Sequence, residues 1–294
     1  MNRRFAAVGA AGAVLTLSLS GCLGDSGTSG AASGGAGAGN AIKLTAAEAL
    51  AKTSEKTGQV DSFKANLSMD SAGGVGNLKA TGTMLYRAKP SVAFSMVFNQ
   101  MNVAGRSMGG MQEVLIDKTI YMKIPMLSQL SGGKPWVKVS LTDLGQKTGM
   151  NFDELLQQAQ QMNPVQTTKM MTASKDAREV GKETIDGVAT THYTGTYDVT
   201  QAVTKLDPQQ REAFQKAAKD SGMNTMAFDL WVDGQQLPRK MMMKTAPGAK
   251  TPLAITVVYR DFGQPVTISA PPAGEVTDFS QVMKGMNGRV PTGG

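Results

Sequence analysis

Phe63, Ala65, Leu67 and Met69 alternate with Lys64, Asn66, Ser68 and Asp70. A period of two sends successive side chains to opposite faces of a strand, so this stretch predicts a strand with one dry and one wet face. The same alternation runs through Leu78, Ala80, Gly82, Met84 and Tyr86, and again through Val92, Phe94, Met96 and Phe98. Val114–Ile116 and Ile120–Ile124 flank Asp117-Lys118, which predicts a tight hairpin, and Trp136–Val139 predicts a further short strand. Later, Arg178–Thr184 and Val188–Tyr197 surround Asp186-Gly187, a strong two-residue turn signal. Phe228, Leu230 and Val232 lead to a second turn at Asp233-Gly234. Leu237, Arg239, Met241 and Met243 share one face of the return strand, and Leu253, Ile255, Val257 and Tyr259 share one face of the last. From Pro271-Pro272 onward the chain reads as irregular.

Helical signals interrupt the alternation. Thr45 with Glu48 three residues later is a capping box, opening a helix that runs to about Thr57 and stops at Gly58. Asn151 caps a segment in which Phe152, Leu155, Leu156, Ala159 and Met162 fall on one face, ended by Asn163-Pro164. A short helix is expected over Val165 to Ala173, and another from Asp207-Pro208 to Gly222. The sum is an α+β chain: a curved antiparallel sheet of about eleven strands, with a few helices to cover its apolar face. So few helices cover a large sheet incompletely and leave room for an apolar cleft.

The N-terminus has a different character. Asn2-Arg3-Arg4 precedes an apolar run, Phe5 to Leu19, that is short and rich in Ala and Gly. This is the layout of a secretory signal and not of a membrane span. The run closes on Leu19-Ser20-Gly21-Cys22, which resembles the bacterial lipobox. That resemblance implies cleavage before Cys22 and a diacylglyceryl group on its thiol. Residues 1–21 are then a lipoprotein signal peptide, and residues 22–43 a lipidated Cys and a Gly/Ser/Ala tether with a reach of roughly 25 Å. Residues 44–280 form the folded domain and 281–294 an irregular tail.

The chain has 294 residues and a net charge of +7, which becomes +5 without Arg3 and Arg4. The charge is scattered. It suits an anionic membrane surface, and no basic stripe with interleaved aromatics points to nucleic acid. Cys22 is the sole cysteine, so the body carries no disulfide and is held by its core. Twenty Met residues outnumber sixteen aromatic ones. Met lines surfaces that adapt to varied apolar partners, and it equally fills cores.

Catalytic and cofactor signals are weak. His192 is the sole histidine, in a Thr-rich strand and opposite in parity to Tyr193 and Tyr197; it reads as a structural or surface residue. One histidine with no second cysteine does not make a zinc site, and no Gly-x-Ser-x-Gly is present. The two Asp-Gly pairs lack the alternating oxygens of a calcium loop, and Gly105 to Gly110 is too irregular to cradle phosphate. Asp153 and Glu154 are explained by the helix N-terminus. No enzyme activity, metal or cofactor is expected.

Val180-Gly-Lys-Glu-Thr-Ile-Asp-Gly-Val188, Thr191-His-Tyr-Thr-Gly195, Leu230-Trp-Val-Asp-Gly234 and Leu237-Pro-Arg239 resemble the corresponding hairpins of actinobacterial LppX/LprG-type lipoproteins. The likeness covers about Leu44 to Ser280 and concerns fold more than activity. It implies a LolA-like half-barrel that binds acyl chains between its concave sheet and the helices. The cleft is expected to draw on Phe63, Leu67, Met84, Phe94, Met96, Phe98, Ile116, Met122, Phe152, Leu155, Leu156, Met162, Phe228, Leu230, Met241, Met243, Ile255 and Val257. The expected function is a monomeric lipoprotein, anchored on the extracytoplasmic face of the cell membrane. It carries a lipid or glycolipid across the envelope and is loaded or unloaded by a membrane transporter. Two alternatives stand beside it: an envelope sensor or interaction module of the same fold, and a surface protein whose core is fully packed.

Overall fold

The computed structural model describes residues 44–72, 77–125, 131–142, 164–206 and 222–287, together with residues 208, 211, 214, 215, 218 and 219. The expected leader, lipobox and tether lie outside these residues. So do the segment from Asn151 to Asn163, with Phe152, Leu155, Leu156 and Met162, and most of the segment from Asp207 to Gly222.

Helix α1 spans Ala46–Gly58. Its capping box forms as expected: the Glu48 backbone amide donates to Thr45 Oγ1 at 3.3 Å, and the Thr45 amide donates to Glu48 Oε2 at 2.8 Å. These bonds satisfy amides that a helix start leaves unpaired. Strands β1 (Ser62–Ser71), β2 (Leu78–Arg87) and β3 (Ala93–Val103) form an antiparallel meander. A two-residue strand, β4 (Arg106–Ser107), folds back on β3. Strands β5 (Met111–Ile116), β6 (Thr119–Lys123) and β7 (Trp136–Ser140) continue the sheet. The β5–β6 turn places Asp117 and Lys118 at φ 49° and 61°, as a primed turn requires.

After α2 (Pro164–Met171), β8 (Arg178–Ile185) and β9 (Val188–Asp198) form the hairpin expected around Asp186-Gly187. A short helix α3 (Val199–Ala202), capped by Asp198, runs into a 3-10 turn. Strands β10 (Thr225–Asp233), β11 (Pro238–Thr245) and β12 (Leu253–Arg260) follow. With a last strand β13 (Val276–Asp278), the sheet order is β13-β7-β6-β5-β3-β2-β1-β12-β11-β10-β9-β8, so β12 joins the two halves beside β1 and the sheet stays open.

The curved antiparallel sheet of about eleven strands is present, and the described residues add β4 and β13 to make thirteen. Two expectations are corrected. The turn at Asp233-Gly234 is not a two-residue turn. The Asp233 amide donates to the Leu237 carbonyl, and Gln236, not Gly234, takes a positive φ of 63°. Asp233 organises this longer loop: its carboxylate accepts from the Gln235 and Leu237 amides and from Arg239 Nε at 2.7 Å. The stretch beyond Pro271 is also not irregular. It enters β13, which pairs in parallel with β7, and helix α4 (Phe279–Asn287).

Residues opposed in register share a face. One face of the sheet carries Phe63, Ala65, Met84, Tyr86, Phe94, Met96, Leu115, Tyr193, Phe228, Leu230, Met241, Val257 and Tyr259, all buried. Leu50 of α1, Met170 and Met171 of α2, Val199 and Ala202 of α3, and Val203 and Leu206 pack into the same cluster. The opposite face holds a smaller cluster of Ala93, Val114, Trp136 and Ile268, with Ile116, Tyr121 and Val266 against it.

Candidate functional site

The helix-covered face is not closed evenly. Phe63, Tyr86, Phe94 and Leu115 lie opposite one another across four strands, and all are buried. Further along the same strands, Met101, Ala80, Met69, Ile255 and Met243 make another row across β3, β2, β1, β12 and β11. There only Ala80 is buried; the other four are partly exposed. The next row, Val103, Leu78, Ser71, Leu253 and Thr245, is partly exposed throughout. The apolar face therefore runs from a packed core at one end to an accessible apolar band at the other.

The expected cleft residues divide along this gradient. Phe63, Met84, Phe94, Met96, Phe98, Phe228, Leu230, Met241 and Val257 are buried core. Leu67, Met122, Met243 and Ile255 lie on the same face and are partly exposed. Ile116 is the exception and belongs to the opposite face, against Val114 and Trp136. It pairs with Thr119, while Leu115 pairs with Ile120 and Phe94 on the helix-covered side. Met69, Leu78, Met101 and Met111 are further partly exposed apolar positions on this face. Met69 and Leu78 follow the alternation, whereas Met101 comes onto this face through a bulge after Phe98.

Glu113 was not expected on this face. It stands opposite Met96 and Met122, with Met111 and Leu115 two residues away along β5. Burial pushes its carboxyl above the usual range. The one available signal was a charged residue at an inward position of a short strand. Tyr197, at the accessible end, donates its hydroxyl to Met243 Sδ at 3.9 Å, and burial raises its pKa.

The polar features lie on the other face. His192 Nδ1 is 2.8 Å from Glu183 Oε1, and Nε2 is 3.0 Å from Asp229 Oδ1. The ring stacks on Trp231, whose indole N–H donates to Glu183 Oε2 at 2.9 Å. The Trp231 bond, then the His192 bond, hold the Glu183 carboxyl below its usual range. This knot ties β8, β9 and β10 together. An open pocket of about 310 Å³ lies where β1, β2 and β3 carry Ser68, Asp70, Lys79, Thr81, Gln100 and Asn102. An Asp70–Lys79 ion pair of 3.1 Å spans two of these strands. No group of three His, Cys, Asp or Glu side chains among the described residues could hold a metal ion. No helix among them is long and apolar enough to cross a membrane.

The described residues thus form an open, mostly antiparallel sheet with helices on one face and a partly uncovered apolar band. The chain is 30% identical, over 82% of its own length and 82% of the other's, to an uncharacterized 31.2 kDa protein from the rplA-rplJ intergenic region of Streptomyces griseus, and it belongs to that protein's family. A candidate lipoprotein of Streptomyces coelicolor is 25% identical over 83% of this chain and 78% of its own. No protein-family model matches. Among solved structures, LprF from Mycobacterium bovis is similar with a TM-score of 0.48 and 16% identity, covering 78% of this chain and 97% of LprF. LppX from Mycobacterium tuberculosis has a TM-score of 0.44 and 15% identity, covering 76% and 98%.

Proposed function

We propose that this protein is an extracytoplasmic lipoprotein that holds acyl chains against the accessible part of its apolar face and carries a lipid or glycolipid across the cell envelope. The observation that carries this reading is the row of Met101, Met69, Ile255 and Met243. Four large apolar side chains on adjacent strands stay partly exposed on the face that the helices otherwise cover. Burial of an alkyl chain there gains about 0.8 kcal/mol per methylene, so a long chain binds without polar anchors. Met adapts to chains of different shape, because its side chain is unbranched and polarisable. The role is binding and transfer and requires no catalysis. The sequence Leu19-Ser20-Gly21-Cys22 supports a thioether-linked lipid on Cys22 as the anchor. Two acyl chains hold a protein at a membrane where one holds it only marginally.

The test is transfer. The full chain is added to donor vesicles containing a fluorescent diacyl lipid and to unlabelled acceptor vesicles. Protein-dependent movement of label, together with lipid co-purifying in stoichiometric amount, supports a carrier. Bound lipid without transfer supports a lipid-reading sensor, and a folded chain with neither overturns the reading. Mass analysis of the mature N-terminus tests the anchor, which fails if Cys22 carries no lipid.

A further inference from the structure

Among the described residues of β1, β2, β3, β5, β6 and β7, the helix-covered face carries one charged side chain. Glu113 sits in the middle of β5 with Met96 of β3 opposite on one side and Met122 of β6 opposite on the other. Along its own strand its same-face neighbours are Met111 and Leu115. Gln112 pairs with Lys123, and Val114 with Tyr121, so the polar side chains of these two strands point to the opposite face. The other inward positions of β1, β2, β3, β5, β6 and β7 hold no Asp, Glu, Lys or Arg. Glu113 is half-buried and makes no hydrogen bond or ion pair among the described residues.

A carboxyl half-buried among thioethers and aliphatic groups gives up part of its hydration at a cost. A ligand that brings a hydrogen-bond donor removes the penalty. An anionic headgroup does not: a carboxyl repels phosphate, and these strands present no cation on this face to receive it. An uncharged headgroup with a free hydroxyl fits. It donates to the carboxyl oxygen while its acyl chains lie on the partly exposed Met111 and Met122 beside it.

Resting on the acyl-binding reading above, we infer that Glu113 is the polar contact of the lipid site. It accepts a hydrogen bond from a hydroxyl of an uncharged glycerolipid or sugar headgroup and selects against anionic phospholipids. Glu113 thus supplies the headgroup specificity that an apolar face lacks.

The experiment is native mass spectrometry of the full chain released from mild detergent. Dioleoylglycerol and dioleoylphosphatidylglycerol, which share their acyl chains, are offered at equal concentration. The unsubstituted chain is expected to favour dioleoylglycerol by roughly threefold to tenfold, the range of one buried hydrogen bond. Glu113→Leu removes the preference and leaves phosphatidylglycerol occupancy equal or higher, and Glu113→Lys reverses it. Glu113→Gln keeps an acceptor oxygen but loses the charge that repels phosphate, so it folds and retains only part of the preference, which separates loss of contact from loss of fold. Equal occupancy by both lipids in the unsubstituted chain, or a preference that survives Glu113→Leu, overturns the inference and leaves acyl binding intact. A folded, unsubstituted chain that takes up neither lipid overturns the acyl-binding reading itself.

Discussion

His192 lies flat against Trp231, with ring centroids 4.2 Å apart and planes 15° from parallel. Both of its nitrogens are engaged by carboxylates on neighbouring strands, and Lys240 Nζ sits 4.4 Å from the Trp231 ring centre. His192→Leu keeps the bulk and removes both polar contacts. It is expected to lower stability by ~2 kcal/mol, because hydrogen bonds to charged groups are the stronger kind and Asp229 is left half-buried without its partner. Urea unfolding measures this, and lipid occupancy should stay unchanged.

Stability should fall in acid. Asp176 accepts the Thr196 amide at 2.7 Å and the Thr196 hydroxyl at 2.8 Å, and the amide bond holds its carboxyl below the ordinary value of 3.8. Glu183 is likewise held below 4.5, first by Trp231. A depressed carboxyl stabilises the fold above its unfolded pKa, and that contribution disappears as pH falls through the folded one. Thermal melts should therefore drop below about pH 4, and Asp176→Asn should flatten the drop.

Glu113 has the opposite sign. Its carboxyl is raised above 4.5 by burial, so the folded state holds its proton more tightly than the unfolded chain does. Its charge therefore destabilises the fold increasingly as pH rises above that ordinary value. Glu113→Gln is expected to raise the melting temperature near neutral pH and to leave it unchanged below about pH 4. A residue that weakens the fold and favours ligand binding is the usual trade between stability and function.

The gradient across the apolar face separates core from site. Met96 is 2% exposed, and Met96→Asp should cost about 3–5 kcal/mol, as an unpaired buried charge does, and abolish folding. Ile255→Lys, in the partly exposed row, should leave a folded protein by circular dichroism and cut lipid occupancy at least fivefold. Equal loss of folding in both variants would remove the distinction between the two rows.

Gly195 stands opposite Phe228 in the β9–β10 ladder. A Cβ there would lie 2.8 Å from Ser174 Oγ and 2.9 Å from Phe228 Cζ. Gly195→Ala should destabilise by ~1–3 kcal/mol through overpacking, and Gly195→Val by more. Chemical denaturation checks the order.

Alternation, short apolar runs and turn residues placed eleven strands, the capping box at Thr45 and the Asp186-Gly187 hairpin, because each rests on residues close in sequence. The two-residue period separates faces only where one face meets water. In β5 both faces are covered, so Val114, Leu115 and Ile116 read as one apolar run. Ile116 could not be told from its neighbours until Trp136, Val266 and Ile268 were brought against it. The same limit hid β13. Its three residues carry no pattern of their own and form a strand only because β7 offers an edge.

The chain's local chemistry determined that a two-faced antiparallel sheet would form, where its turns begin, and that its largest apolar side chains share one side. It did not determine which of those side chains are sealed. Phe94 and Met243 look alike as strand residues. One is 7% exposed and the other partly open, because the side chains packed around each come from distant parts of the chain. Glu113 shows the same division. Its charge is plain in the sequence, but the environment that makes it unusual comes from Met96 and Met122, on two other strands. Long-range packing decides burial, and burial decides what a carboxyl or a thioether can bind.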